Sequence, residues 1–284
     1  KLTRYKDNII LTFGDMLRVP GTRMGLAQAR GQGARVRIVY STLDALKLAR
    51  ENPDATVIFF GIGFETTAPT VAAALVEAQE SNIDNFMVLS AHKVVPPALA
   101  VLCATPGLAV DAFLCPGHVT AIIGPEAYRQ VVDDFGIPCV IAGFEPADIL
   151  QSLTMLVDQI AAGRSEVELQ YSRGVRPEGN RTAMAMIDRV FEPCDAEWRG
   201  LGVIPGSGLA IRKEFAAHDA ARRFPMDVGY SREPAGCLCG AILTGIKTPR
   251  DCPLFGKGCT PDHPIVPCIV SSEGTCAAYF QYEI

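Results

Sequence analysis

Residues 56–69 have the sequence TVIFFGIGFETTAP, an apolar run followed by a glycine turn and the start of an Ala-rich segment. An apolar run without alternation predicts a strand buried on both faces, as in a parallel sheet. Gly61 and Gly63 allow close backbone approach after this strand, and Thr66 is predicted to cap the helix that follows. The stretch therefore predicts a strand–turn–helix unit of an α/β fold.

The same alternation extends through the first two thirds of the chain. Strands are predicted at 8–13, 35–40, 85–90, 110–114 and 137–142, and helices at 42–51, 68–81, 96–104 and 147–162. The last of these helices has a predicted core-facing apolar side formed by Ile149, Leu150, Leu153, Leu156, Val157 and Ile160. Beyond residue 163 the alternation is lost, strands are expected to be short, and one helix is predicted at 181–189.

Charge and hydropathy exclude several classes of protein. The chain has 284 residues and a net charge of −5, and no Lys/Arg block suggests a nucleic-acid or anionic-membrane surface. No uncharged apolar run approaches the ~18 residues of a membrane span. The first residues lack both a signal-peptide core and an initiator Met, so we expect a cytoplasmic chain that starts inside a longer protein.

Cysteines are concentrated at one end of the chain. Six of the ten lie in the last 48 residues, which favours a metal site over a secreted disulfide scaffold. The spacing Cys239-x12-Cys252-x6-Cys259-x16-Cys276 lacks the paired knuckles of zinc ribbons, so an iron–sulfur cluster is favoured over zinc. Two or three disulfides, or a redox-active pair among the six thiols, remain alternatives.

These patterns together predict the architecture. We expect two Rossmann-like parallel-sheet α/β units, the first incomplete, followed by a small Cys-rich iron–sulfur module. The predicted limits are 1–63 for the remainder of the first α/β domain and 64–165 for the second. Residues 166–284 would form a connector and the C-terminal module.

Polar residues follow several predicted strands, where α/β sheets bind ligands. Glu65, Thr66 and Thr67 follow one strand, and His92 and His118 follow two others. A carboxylate and two imidazoles at one sheet edge could serve in acid–base chemistry, although a single histidine at a strand end is more often structural. The glycine turn lacks the third glycine of a dinucleotide fingerprint, which makes a nucleotide cofactor a weak proposal.

The remaining cysteines are given no chemical role. Cys103 and Cys139 lie in apolar elements and are predicted to be core residues. Cys115 precedes His118 by three residues, but one such pair is a poor metal signal.

Seven motifs carry a resemblance to a known family. In chain order they are TFGDMLRVPG (12–21), GFETTAP (63–69), PGHV (116–119), GFEP (143–146), EWRGLG (197–202), CPLFG (252–256) and SSEGTC (271–276). The chain resembles HypD, a family of maturation factors for [NiFe]-hydrogenases.

The resemblance implies a scaffold with a redox role rather than a classical turnover enzyme. HypD-like proteins join HypC to hold an iron atom while cyanide, delivered from HypE, and carbon monoxide are attached to form an Fe(CN)2CO group. They also carry a C-terminal [4Fe–4S] cluster. The implied cluster ligands are Cys239, Cys252, Cys259 and Cys276. The implied working crevice contains Glu65, Thr66, Thr67, His92, His118 and Glu273. Cys237 and Cys268 lie outside the family pattern and are expected to be bystanders.

One departure from the family concerns the transient iron centre. The Cys-Gly-Gly-His-Thr-His and Gly-Pro-Gly-Cys-Pro-Val-Cys motifs of HypD proteins do not occur in the sequence, so the expected thiol ligands of the Fe(CN)2CO iron are absent. We therefore expect a HypD fragment that keeps the cluster module. The alternative is a stand-alone α/β enzyme that uses the strand-end residues and has a structural zinc tail.

Overall fold

The structure, a computed structural model, describes residues 1–225 and 233–282. Its strands are β1 (Asn8–Thr12), β2 (Val36–Ile38), β3 (Thr56–Gly63), β4 (Phe86–His92), β5 (Phe113–Pro116), β6 (Cys139–Ala142), β7 (Val167–Leu169), β8 (Phe191–Trp198) and β9 (Gly202–Ile211). Its helices are α1 (Leu26–Gly31), α2 (Thr42–Glu51), α3 (Ala68–Glu80), α4 (Val95–Cys103), α5 (Gly117–Ile123), α6 (Arg129–Phe135), α7 (Pro146–Ala161), α8 (Arg181–Val190), α9 (Ala220–Arg223), α10 (Cys239–Leu243) and α11 (Thr275–Tyr282). The α/β class is confirmed.

The first sheet is parallel, with strand order β2-β1-β3-β4. Strand β3 lies in the middle of the sheet, and Val57, Ile58 and Phe59 are fully buried there, as the unbroken apolar run predicts. The small side chains of α3 let this helix pack closely on the same core. Because β4 pairs with β3 along its whole length, the predicted limit at residue 63 falls inside one sheet; the sheet continues to His92.

The second sheet is also parallel, with order β5-β6-β7. Its third strand, β7, lies beyond the predicted limit at residue 165, where a connector was expected. Three residues are too few to show a recognisable pattern, but β7 extends the second sheet to Leu169. Cys103, Cys115 and Cys139 are buried in the core of this unit, where burial raises the pKa of Cys103 to about 11.

Helix α7 packs on the second sheet with the side opposite to the one predicted. Leu150, Leu153, Val157 and Ile160 of the expected core face are exposed, although Leu156 is buried. The buried side carries Asp148, Ser152 and Gln159. Two of these groups have partners that offset their desolvation: Asp148 accepts hydrogen bonds from Arg173 and Gln170, and Gln159 Oε1 accepts one from the N–H of Glu166.

An antiparallel hairpin, β8–β9, follows α8. It corrects the expectation of short strands after residue 163, since β9 has ten residues. Pro193, Pro205 and several glycines weaken the strand signal in the sequence. Inward-facing and outward-facing residues nevertheless alternate along the hairpin. Phe191, Leu209 and Ile211 face inward and join the core of the first sheet.

The C-terminal segment has a small core of its own. It contains Cys259, Val266, Ile269 and Val270, and Val19 from the loop after β1 packs against it. The segment also contacts the linker between α4 and β5, where the N–H of Ala109 donates to the carbonyl of Thr244 at 2.8 Å. Throughout the described ranges, no helix has the length and apolar character needed to cross a membrane.

Candidate functional site

All six C-terminal cysteines line one small pocket. They are Cys237, Cys239, Cys252, Cys259, Cys268 and Cys276. The rest of the wall is apolar and comes from Ile242, Leu254, Phe255 and Val266. Thiols from 40 residues of chain therefore converge on one small apolar space, a donor set that suits soft metal centres.

Two turns bring Cys252 and Cys259 into the pocket. A short turn at Pro249–Asp251 is capped by Thr248, whose N–H donates to Asp251, and Cys252 follows directly. The chain then reverses, so that the Cys259 N–H donates to the Leu254 carbonyl at 2.8 Å and the Cys259 carbonyl accepts from Gly256. Gly256 has φ +68, a conformation that glycine adopts at little cost. The CPLFG motif thus encodes the loop that holds both thiols.

Cys239 and Cys276 enter the pocket at the first turns of α10 and α11. Both lie beside the thiol of Cys268, which lines the same pocket. This contact, followed by burial, raises the pKa of Cys239, whereas the hydrogen bond from Cys268 lowers the pKa of Cys276. For Cys268 itself the bond with Cys239 lowers the pKa, but the bond with Cys276 and burial outweigh it and raise the value to about 12.

The turn of the β8–β9 hairpin packs against α10, whose first residue, Cys239, lines the pocket. Gly200 packs directly on Gly240 of α10, so closely that a Cβ on Gly200 would lie 2.8 Å from the Gly240 backbone. The guanidinium of Arg199 lies near Cys237 and Cys239 and partly offsets the rise of their pKa. The EWRGLG motif therefore supports α10 next to the pocket and places a positive charge near two of its thiols.

The thiols share the pocket without forming a single-ion geometry. A zinc ion bound at Zn–S distances of about 2.3 Å needs its sulfurs about 3.8 Å apart. Among the residues that the structure describes, no group of three or more His, Cys, Asp or Glu is placed to hold one metal ion. The donor chemistry fits a cluster, which is larger than one ion and is bound by thiolates.

Glu65 follows β3 by two residues and is buried against the first turn of α4. Its Oε1 accepts a hydrogen bond from the N–H of Val95, the first residue of α4, at 2.8 Å, and Oε2 is buried without a partner. Burial raises the pKa of this carboxyl, although its own N–H and that of Val95 oppose the rise. Because Pro96 and Pro97 have no N–H, the Val95 donor is the one that Glu65 can bind in the first three residues of α4.

His92 is the last residue of β4, aligned with Gly63 at the carboxyl edge of the first sheet. The Ser90 hydroxyl donates to the Leu209 carbonyl at 2.6 Å, so its oxygen is left to accept from His92 Nδ1 at 3.2 Å. His92 Nε2 is buried without a partner, and burial lowers the pKa of the ring to about 4. The ring is therefore neutral and packs against Phe191.

The two threonines have local roles or none. Thr67, not Thr66, is the residue that precedes α3, and its hydroxyl donates to the carbonyl of Phe64 at 3.0 Å instead of accepting from the helix. Thr66 is exposed. The predicted cap at Thr66 is wrong because the chain makes one more turn before the helix begins.

The remaining crevice residues lie in two other places. His118 is exposed at the edge of the second sheet, 4.6 Å from the ring of Phe144. Glu273 is exposed in an open pocket of about 1150 Å³ that Asp15 and Arg18 also line. Within the described ranges, no hydrogen bond or ring contact links His92, His118 and Glu273, so their common crevice stays a prediction.

Fold and site define a class of protein: an α/β protein with two parallel sheets and a C-terminal pocket lined by thiols. The HypD family model, described as the hydrogenase formation hypA family, matches residues 1–283. The chain is 48% identical over 289 residues to the hydrogenase maturation factor HypD of Azotobacter vinelandii, covering 99% of this chain and 76% of that protein.

Two further relatives match the chain to a similar extent. HypD of Escherichia coli K12 is 46% identical over 285 residues, with 99% of this chain and 76% of the relative covered. HypD of Rhodobacter capsulatus is 48% identical over 281 residues, with 96% and 74% covered. The chain belongs to the HypD family of hydrogenase maturation factors, which confirms the resemblance seen in its motifs.

The sequence did not indicate that Cys268 lines the pocket or that the hairpin turn packs against α10. Cys268 lies outside the family pattern, yet it lines the same pocket as the four predicted ligands. Its position eight residues before Cys276 was the available signal. The contact between Gly200 and Gly240 joins residues far apart in sequence, and no local pattern encodes it.

Proposed function

We propose that this chain is a hydrogenase maturation scaffold with a redox [4Fe–4S] cluster, held by Cys239, Cys252, Cys259 and Cys276. The Fe(CN)2CO group would be assembled on it together with HypC-like and HypE-like partners. Membership of the HypD family supports the maturation role. The observation that carries the cluster is the convergence of six thiols on one apolar pocket.

Each part of the pocket has a task in this proposal. The four thiols hold the cluster, and the apolar wall of Leu254, Phe255 and Val266 limits the access of water. Arg199 places a positive charge beside the thiols, which favours their thiolate form. When bound, the cluster supplies single electrons at a potential set by its surroundings. Thiolate ligation requires reduced cysteines, which is why we assign the chain to the cytoplasm.

The iron of Fe(CN)2CO is cargo in this proposal and not a resident cofactor. The two cysteine motifs expected to bind it do not occur in the sequence. The proposal therefore assigns the cluster and the partner contacts to this chain, but none of the thiolate ligands of the cargo. No nucleic acid or membrane takes part.

Metal analysis of anaerobically purified protein tests the cluster. We expect about four irons and four acid-labile sulfides per chain, and a brown colour. The Cys259→Ala variant should lose most of both, because Cys259 is buried in the small C-terminal core. About one zinc per chain without sulfide would reject the cluster and favour the α/β enzyme with a structural zinc tail.

Co-purification tests the partners. The tagged chain should retain a HypC-like protein from a host that makes [NiFe]-hydrogenase, and a HypE-like protein should join in a second step. An unrelated tagged α/β protein from the same host serves as the control. Equal recovery of both partners with the control would reject the scaffold role while leaving the cluster untouched.

A further inference from the structure

We infer that the solvent side of α7 is a contact surface for a second copy of this chain, with the two helices packed antiparallel about a two-fold axis. The inference goes beyond the proposed function, because it concerns neither the thiol pocket nor the maturation partners. The surface, which we call the α7 face, consists of Leu150, Leu153, Thr154, Val157 and Ile160.

Helix α7 turns its apolar side outward. The exposed fractions of its large apolar residues are 66% for Leu150, 44% for Leu153, 61% for Val157 and 49% for Ile160. Among the exposed residues of the helix, the single charged one is Asp158. The solvent side of a helix is normally polar, and a contiguous apolar one marks a surface for another protein. The α7 face therefore lacks a cover in the single chain.

The spacing of the α7 face makes it complementary to itself. Successive intervals from Leu150 through Leu153 and Val157 to Ile160 are three, four and three residues, the spacing of helices that pack along a narrow seam. Because this spacing is the same in both directions, an antiparallel copy places Leu150 opposite Ile160 and Leu153 opposite Val157. One two-fold axis near the middle of the helix generates both pairs, as a symmetric dimer requires.

The polar groups of this surface can be covered without losing hydrogen bonds. The Thr154 hydroxyl donates to the Leu150 carbonyl at 3.0 Å, so it needs no partner from outside the helix. Gln151 Oε1 accepts from Gln170 at 3.1 Å, which leaves the NH2 group of Gln151 as a donor. In the part of the chain that the structure describes, the Asp158 carboxylate has no hydrogen bond or ion pair. The same two-fold axis brings this acceptor next to Gln151 of the other copy.

Charge at the two ends of α7 agrees with the antiparallel arrangement. Glu145 precedes the amino end and Arg164 follows the carboxyl end, and their side chains are 77% and 42% exposed. The arrangement places Glu145 of one copy at the end that carries Arg164 of the other, and it brings opposite ends of the two helix dipoles together. Arg173 already binds Glu145, and Glu166 and Glu168 already bind Arg164. This contact therefore orients the copies and adds little affinity.

The size of the surface sets the expected affinity. One helix from each copy covers less than the ~1,200–2,000 Å² of a standard stable interface. We therefore expect a reversible monomer–dimer equilibrium with a dissociation constant of about 1–100 μM.

Sedimentation velocity of the anaerobically purified chain tests the inference. Between about 1 and 200 μM, the wild type should shift from monomer to dimer. Leu150→Glu should raise the dissociation constant at least about tenfold, because a carboxylate would be covered without a partner. Leu43→Glu is the matched control, since Leu43 is a leucine of α2 with the same exposed fraction of 66%, and it should dimerise as the wild type does.

Substitutions of Gln151 test the antiparallel pairing itself. Gln151→Lys should lower the dissociation constant by about threefold or more, and Gln151→Glu should raise it by a similar factor, because residue 151 faces Asp158 of the other copy. The Gln151→Lys/Asp158→Lys double variant should dimerise less than Gln151→Lys, since like charges then meet. Equal dissociation constants in these variants would overturn the antiparallel pairing and with it the inference.

The remaining outcomes separate this inference from the proposed function. A wild type that is monomeric throughout the concentration range overturns the inference, and so does equal dimerisation of Leu150→Glu and Leu43→Glu. If that monomer retains a HypC-like protein in co-purification and Leu150→Glu does not, the α7 face belongs to that partner and not to a second copy. Circular dichroism checks folding, and Val157→Gln replaces Leu150→Glu if the latter does not fold.

Iron and sulfide content, measured on the same samples, reports on the proposed cluster separately. A loaded monomer overturns the inference alone, whereas a dimer without iron and sulfide overturns the cluster alone.

Discussion

Glu65 shows how a residue with the chemistry of a catalyst can act as part of the fold. Its carboxyl is buried and binds the N–H of Val95, at the start of a helix that has prolines at its next two positions. A carboxyl group at a helix N-terminus is stabilising through both the hydrogen bond and the helix dipole. The position thus couples the end of β3 to α4.

Substitution of Glu65 should separate the effect of its hydrogen bond to Val95 from the effect of its charge. Glu65→Ala leaves the N–H of Val95 buried without an acceptor and should lower the free energy of unfolding by about 1–2 kcal/mol. Glu65→Gln keeps an oxygen for Val95 and should cost less than about 0.5 kcal/mol. Urea titration of the three proteins measures both changes. Equal losses in the two variants would show that the charge, and not the helix contact, matters at this site.

His92 should make stability depend on pH. Burial lowers its pKa to about 4 in the folded protein, against an ordinary value of 6.5, so the unfolded chain binds the proton more readily. The neutral ring makes its full contribution to the free energy of unfolding above the ordinary pKa of 6.5. This contribution is lost as the pH falls from 6.5 toward 4. Between about pH 7 and pH 5 the loss should be about 2 kcal/mol, and His92→Gln should remove it.

An exposed histidine gives the control for this prediction. His263→Gln changes a side chain at the surface and should keep the wild-type pH dependence. Glu65 contributes with the opposite sign, because its raised pKa favours the folded state at low pH, but it is present in all three proteins and cancels. Identical slopes for the wild type and His92→Gln would contradict the assignment of His92.

At the scale of elements, the β8–β9 hairpin connects the sheets to the thiol pocket. Gly200 and Gly202 flank its turn and share a φ of +79, so an alanine is strained equally at both positions. Only Gly200 is packed against another backbone, that of Gly240, whereas the space around Gly202 is open. Gly200→Ala should therefore push the turn away from α10 and disturb the helix that carries Cys239.

The pair of variants isolates that contact. Gly200→Ala should lower Tm by at least about 3 °C more than Gly202→Ala does, and it should bind less iron. Thermal unfolding and iron analysis of the two proteins under identical conditions check this. If the two variants behave alike, the hairpin turn does not support the pocket.

The elements also show what the sequence could predict. The strand and helix from Thr56 to Glu80 carry their signal locally, in an apolar run and an Ala-rich segment, and both were predicted. The side of α7 that faces the core was not predicted correctly. The periodicity of this helix shows that it has an apolar side, but it does not show which side packs on the sheet. The hairpin was missed because Pro193 and Pro205 hide an alternation that only the pairing of β8 with β9 shows.

The candidate site could likewise be predicted only in part from the sequence. The four predicted cluster ligands could be chosen from spacing and family pattern, and all four line the pocket. That Cys268 lines the same pocket depends on how separate turns pack, which no local pattern records. Glu65 and His92 were identified by position after their strands, but their burial became visible only in the fold.

On the scale of the whole molecule, the core of the first sheet and the C-terminal core differ greatly in size. The core of the first sheet is formed by more than twenty buried side chains from the strands, α2, α3, α8 and the hairpin. The C-terminal core has four, one of which is Cys259. Val19, the Gly200 turn and the Ala109–Thr244 hydrogen bond connect this segment to the rest. So small an apolar core gives little stability by itself, and the proposed cluster would add to it.

Removal of the proposed cluster should therefore destabilise only the C-terminal segment, residues 233–282. After anaerobic chelation, amide hydrogen exchange should accelerate in residues 233–282 and stay slow in β1, β3 and β4, whose core contains no cluster ligand. The Cys259→Ala variant, purified without chelator, should give the same pattern. Acceleration in β3 equal to that in α11 would show that the two cores unfold as one unit and that the cluster stabilises the whole protein, as binding to a single cooperative native state requires.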